Sequence, residues 1–147
     1  MDLSSTVHQT RYYEVSVCAI RCPLNLVETG PLAEFMVATL EARDLARHFA
    51  ARVRGPVLAH HRFRAAIAGC PNACSEPQIK DFGAVGAVEL ALAREVCSEC
   101  QQCVAVCREG AVTLADGGPH IRAEHCLACG RCWSHVMSSE QHLHKPP

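Results

Sequence analysis

Ala68-Gly69-Cys70-Pro71-Asn72-Ala73-Cys74 places two cysteines on one short turn interrupted by proline. Gly69 lets the backbone come close to a bulky group with no Cβ in the way, and Pro71 fixes the chain locally. Two thiolates presented to one side suit a metal cluster better than a disulfide. Two cysteines alone would read as small buried residues beside a loop. Nine more in a chain of 147 residues reverse that reading.

Working outward, Met1 to Arg11 is mostly polar, and no apolar run has the length of a signal peptide or a membrane span. The expected location is therefore cytoplasmic, where thiols stay reduced and clustered cysteines read as metal sites. A formal net charge of -1 gives no case for nucleic acid or a membrane surface. Twelve of the fourteen basic residues are arginine, the side chain best suited to grip carboxylates and small oxyanions with paired donors. A GC-rich genome would produce the same bias, and composition alone does not separate the two.

In chain order, Tyr12 to Cys18 alternates in the manner of a strand that delivers Cys18 at its end, and Cys22-Pro23 follows on a loop. Thr29-Gly30-Pro31 reads as a helix start, with Pro31 suited to the first helical position. From there to Arg54 the apolar residues Leu32, Phe35, Met36, Leu40, Leu45, Phe49 and Val53 predict one amphipathic helix or two joined ones. Gly55-Pro56 ends that region, His61 to Ala68 predicts a second strand, and Phe82 to Leu90 a further strand or extended edge. Strand, helix and strand would bring Cys18 and Cys22 beside Cys70 and Cys74. Arg62 and Arg64, in a basic run just before the cysteine turn, are candidate contacts for an anion; a solvated strand face explains them equally well.

The run Ile67 to Cys74, with Pro77, Asp81, Gly83 and Gly86 behind it, resembles the siroheme and 4Fe-4S segment of sulfite and nitrite reductases, over about residues 12 to 90. The resemblance implies that Cys18, Cys22, Cys70 and Cys74 hold one 4Fe-4S cluster, and that Cys74 is the thiolate bridging to a siroheme iron. It also makes Arg62 and Arg64 candidate contacts to siroheme carboxylates or to the substrate. The first pair departs from the family, which separates these cysteines by five residues where this chain has three.

The second half opens after Ala91 to Val96. Cys97-x2-Cys100-x2-Cys103-x3-Cys107 is the bacterial ferredoxin run, whose fourth cysteine serves the other cluster. Cys126-x2-Cys129-x2-Cys132 repeats it, with the turn Asp116-Gly117-Gly118-Pro119 between. Residues 94 to 138 thus resemble a two-cluster ferredoxin. Zinc would also accept cysteines, but its sites group them in pairs rather than in threes and fours. By the cross-over rule Cys126, Cys129, Cys132 and Cys107 complete one 4Fe-4S cluster. The fourth cysteine of the second run should stand at position 136, which is Val136. The cluster of Cys97, Cys100 and Cys103 is then 3Fe-4S, or 4Fe-4S finished by another ligand such as the adjacent His135, or carries an open iron. Trp133, beside Cys132, reads as a shield against water.

These readings predict an α+β protein. Residues 1–93 would form a small sheet covered by a long helix. Residues 94–140 would form a two-cluster ferredoxin-like domain of two short helices and two hairpins, and 141–147 a polar tail. The clusters would supply much of the folding energy. The expected role is iron-sulfur electron transfer of the sulfite or nitrite reductase type, with electrons passing from the ferredoxin-like clusters to the Cys18/Cys22/Cys70/Cys74 cluster and on to a siroheme. The alternative is a non-catalytic electron-transfer subunit of a larger redox complex, without siroheme. Because such reductases build the siroheme pocket from two halves and this chain has one, a second copy or a partner protein would supply the missing walls.

Overall fold

The computed structural model describes residues 4–89 and 97–133, with side chains from residue 7 onward in the first strand. The chain divides into two compact units, residues 1–86 and 87–147. The boundary expected at residue 93 lies outside the described residues.

The first unit is built on a four-stranded sheet in the order β1 (Ser4–Gln9), β2 (Tyr13–Cys18), β3 (Phe63–Ala68) and β4 (Phe82–Val85). β1 runs antiparallel to β2, whereas β2, β3 and β4 are parallel to one another. A parallel pair cannot be joined by a tight turn. The link from β2 to β3 accordingly carries α1 (Thr29–Ala42) and α2 (Leu45–Arg52). The two helices meet at Asp44, whose left-handed backbone (φ 47°) stops α1 and whose carboxylate accepts the Arg47 amide at 3.2 Å to start α2. A short 3-10 turn, Ala59–His61, precedes β3, so the strand starts two residues later than the sequence predicts.

Tyr13, Val15, Val17, Ala65 and Ile67 form the core with Ala33, and Met36, Val37 and Leu40 of α1 pack on it. The helix therefore docks through the Ala33, Met36, Val37, Leu40 stripe. Leu32 and Phe35, expected on the apolar face, point outward, Phe35 with 72% of its surface exposed. β1 was not foreseen, because its composition is polar. It is an edge strand with one face in water, and its register slips between Thr6 and His8.

The second unit contains α3 (Gln102–Val106) and a hairpin of β5 (Val112–Ala115) with β6 (Gly118–Ile121). Asp116 and Gly117 both carry positive φ (49° and 75°), the tight turn that suits the twist of a two-residue hairpin loop. Its core is small and two of its three buried residues are cysteines: Cys103, Val112 and Cys132, with Val104, Val106, Cys107, Leu114 and Ile121 against them. One helix and one hairpin are seen among the described residues of this unit. Mixed strand and helix content makes the protein α+β, as the sequence predicts.

Candidate functional site

β2 ends at Cys18 and β3 at Ala68, and the parallel register pairs Val17 with Ile67. The loops that follow, carrying Cys22 and Cys70 to Cys74, therefore leave the same edge of the sheet. The carboxyl ends of parallel strands are where open sheets present ligand sites. Cys18, Cys22, Cys70 and Cys74 line one pocket there with Ala19, Asn25, Ala68 and Asn72. All four are free thiols; Cys18 and Cys70 are buried, Cys22 and Cys74 partly exposed.

Hydrogen bonds hold the two loops in place. The Asn25 amide donates to the carbonyls of Ala19 and Ile20 at 3.1 and 3.2 Å, and its Oδ1 accepts from the Cys18 thiol at 3.3 Å. The Gly69 carbonyl accepts from the amides of Leu26 and Val27 at 2.7 and 3.3 Å, tying the two cysteine loops together. Gly69 itself donates its amide to Cys18 Sγ at 3.1 Å. A Cβ at Gly69 would collide with the Asn25 side chain, and one at Gly86 would meet the Gly69 carbonyl oxygen at 2.5 Å. Ala73 holds φ 52° between Cys70 and Cys74, so the turn bends by a left-handed residue that is not glycine. Ser75, next to Cys74, is 3% exposed and its hydroxyl has no partner.

In the second unit the two triplets repeat in backbone as well as in sequence. Glu99 and Gln101 have φ 54° and 60°; the matching Ala128 and Gly130 have 52° and 69°. The Glu99 amide donates to Cys97 Sγ at 3.4 Å, and the Ala128 amide to Cys126 Sγ at 3.4 Å. Left-handed residues thus fall at alternate steps of each triplet, the kind of turn that can form an anion-binding concavity of backbone amides. The Cys132 thiol lies within electrostatic reach of Cys126, Cys129 and Cys107; burial first, and then the charge of these three sulfurs, pushes its pKa above the usual thiol value. The Ala111 amide donates to Cys107 Sγ at 3.3 Å. Cys100 is fully exposed, and the Gln102 amide, with Ser98, lowers its pKa.

These donor sets fit iron-sulfur clusters: reduced thiols grouped by loops whose amides already point at sulfur. Among the described residues no three Cys, His, Asp or Glu side chains converge on a single metal ion.

The arginines stand elsewhere. Arg62 pairs with Glu14 at 3.5 Å, and the Arg64 amide donates to Asp81 at 2.7 Å. Both mark the start of β3, while Cys70 follows its end, roughly 20 Å along the strand at about 3.3 Å per residue. Neither lines the cysteine pocket. His135 lies outside the described residues. Asn25 and Ser75 were not singled out from sequence: an asparagine three residues past a cysteine carries no signal until the fold folds its loop back.

No family model matches the chain. Its sequence is 30% identical over 93 residues, 63% of the chain, to the coenzyme F420-dependent sulfite reductase of Methanocaldococcus jannaschii. The chain spans 13% of that relative's length. The fold is similar to the crystal structure of dissimilatory sulfite reductase I, with TM-score 0.44 and 16% identity over 83% of this chain and 32% of that one. Over the 93 residues matched to the Methanocaldococcus jannaschii relative, the chain is sulfite-reductase-like in sequence.

Proposed function

We propose that the chain is an iron-sulfur electron-transfer component of a sulfite-reductase-type enzyme. It would hold one 4Fe-4S cluster on Cys18, Cys22, Cys70 and Cys74, a second on Cys107, Cys126, Cys129 and Cys132, and a third cluster on Cys97, Cys100 and Cys103. The observation that carries this reading is the pocket at the carboxyl edge of β2 and β3, walled by four free thiols from two loops that sequence spacing alone does not join. Support for the second site comes from Cys132 lying within electrostatic reach of the three other thiols of the cross-over set. When bound, such clusters pass single electrons at potentials set by hydrogen bonding and exposure.

The chain's own part is to hold and tune. The Gly69, Ala111, Glu99 and Ala128 amides donate to Cys18, Cys107, Cys97 and Cys126 respectively. Each donation sets a backbone N–H against sulfur, the kind of hydrogen bond that orients a ligand and tunes a cluster's potential. The apolar core beneath the first site excludes water from Cys18 and Cys70.

A second reading adds siroheme at Cys74, with Arg62 and Arg64 as anion contacts and sulfite or nitrite as substrate. It is favoured by the sulfite reductase named among the relatives. A tetrapyrrole with many carboxylates calls for cationic neighbours, and none lines the cysteine pocket. A larger reductase complex, a redox partner or a second copy of the chain would supply the rest of such a site.

Anaerobic purification with counts of iron and acid-labile sulfide tests the first reading. A colourless protein holding zinc or disulfides would overturn it. The visible spectrum tests the second: a strong Soret band and a red band are expected with siroheme. Their absence, in protein from siroheme-producing cells, would leave electron transfer alone. An Arg62→Ala protein that kept full anion affinity and cofactor content would remove Arg62 from the site.

A further inference from the structure

A cavity of about 360 Å³ lies between β1 and α1, and no cysteine is in its wall. That size falls at the lower end of small-molecule sites, roughly 300 to 1,000 Å³. One side is a stripe of α1 in which Gly30, Ala33, Val37 and Ala38 recur at helical spacing, and their short side chains leave an apolar channel. A Cβ at Gly30 would meet nothing within 4 Å, so the channel is open there. Val7 and Ile20 line the cavity as well, and at 42% and 57% exposed both keep much apolar surface in water.

The charged side chains of the wall are of one sign. Glu34 and Glu41 stand on the same stripe, about 10 Å apart along the axis at 1.5 Å per residue. Among the described residues no Lys or Arg lines the cavity, and Glu34 has no basic partner. Glu41 is held in place. Tyr13 donates its hydroxyl to Glu41 Oε1 at 3.4 Å, and His8, stacked on the Tyr13 ring, brings Nε2 to 3.1 Å from that hydroxyl and 3.9 Å from the same Oε1. Both contacts use Oε1, which leaves Oε2 for a ligand. A carboxylate at each end of an apolar channel calls for two cations joined by a hydrocarbon chain. An anion would meet like charge, and no three Cys, His, Asp or Glu side chains among the described residues converge to hold a metal ion.

We propose that this groove binds linear aliphatic diamines, with one ammonium on Glu41, the other on Glu34, and the methylenes laid along Ala33, Val37 and Ala38. The site uses neither iron nor sulfide and is independent of the iron-sulfur reading.

The test is isothermal titration calorimetry of the full chain, purified anaerobically, with diaminooctane, octylamine and octanediol. Their hydrocarbon chains are equal and their charges are two, one and none; extended diaminooctane is about as long as the two carboxylates are apart. Diaminooctane is expected to bind tightest, and octylamine roughly five-fold more weakly, the size of one exposed ion pair. Octanediol should bind weakest. Glu34→Gln and Glu41→Gln should each bring diaminooctane down to the level of octylamine and leave octanediol unchanged. Ala38→Leu, at an exposed helix position, should fill the channel and weaken diaminooctane with both carboxylates in place, its fold checked by circular dichroism. Diaminooctane binding that is indifferent to both Gln variants is general attraction to the protein surface and overturns the proposal. Absence of binding at millimolar diaminooctane overturns it too; if sedimentation then shows a dimer that Ala38→Arg dissociates, the groove belongs to a second copy of the chain.

Discussion

Gly86 and Gly69 meet backbone to side of backbone, and that contact holds the cysteine turn against the end of the sheet. The Gly86 amide donates to Ala68 at 2.8 Å while its Cα faces the Gly69 carbonyl. Because the obstacle is backbone and not a flexible side chain, Gly86→Ala must shift one strand end. We expect a loss of about 2 kcal/mol in chemical denaturation, in the range of other overpacked sites. Asn25 works differently, through three hydrogen bonds within one loop. Asn25→Ala is expected to lower the iron retained by the first unit during gel filtration with a mild chelator, while the second unit keeps its own. Tyr13 gives a pH effect of known sign. Burial, and then the Glu41 carboxylate, raise its pKa above 10.0, and its hydroxyl donates to Glu41 at 3.4 Å with His8 at 3.1 Å. The fold favours the neutral phenol, so this contribution is whole below pH 10.0 and is lost as pH rises through the raised value. Stability measured by urea denaturation should fall above pH 10, and Tyr13→Phe should flatten that fall.

At the scale of elements, helix phase decides what each apolar residue of α1 is worth. Ala33, Met36, Val37 and Leu40 lie on one stripe at the spacing of successive turns, and Phe35 lies on the far side. Phe35→Ser should therefore change stability by under about 0.5 kcal/mol. Ile67→Ala, in the middle of the sheet, should cost about 3 kcal/mol. Equal costs from the two would refute this packing. The contrast also marks what the sequence could carry. β2 was legible because its apolar and polar residues alternate, and β3 because its apolar run Ala65 to Ala68 leads into Gly69. β1 was not, because an edge strand is chosen for polarity that keeps other chains away. The helix was legible as a helix, but Leu32 and Phe35 are as apolar as the residues that pack, and only the position of the sheet says which stripe is covered. Strand order and the reductase resemblance carried the grouping of Cys18, Cys22, Cys70 and Cys74, since loops that leave neighbouring parallel strands meet at one end of the sheet. The amide lock of Asn25 and the left-handed Glu99 and Gln101 left no trace, because either depends on where a distant segment comes to rest.

For the whole molecule, the two units differ in what holds them together, and this predicts how the chain responds to loss of metal. The first unit packs Tyr13, Val15, Val17, Ala65 and Ile67 under α1, with no cysteine in that cluster. The second has Cys103 and Cys132 among its three core residues, with Cys107 packed on them, so its centre is made of the groups that would ligate iron. Without metal, a handful of residues on one short helix and one hairpin cannot offset the entropy of ordering the loops between them. The first unit has a sheet and a hydrophobic layer of its own. Iron removal should therefore split the molecule's behaviour rather than unfold it in one step. Among the described residues helix is concentrated in the first unit, 14 residues in α1 and 8 in α2 against 5 in α3. Far-ultraviolet circular dichroism should accordingly keep most of its helical signal after anaerobic chelation. Hydrogen exchange should become fast across residues 97–133 and stay slow in β2 and β3. A single cooperative loss of protection in both units would mean that the first unit, too, owes its folding to the group held at Cys18, Cys22, Cys70 and Cys74, and that the apolar layer beneath those loops is too thin to stand alone.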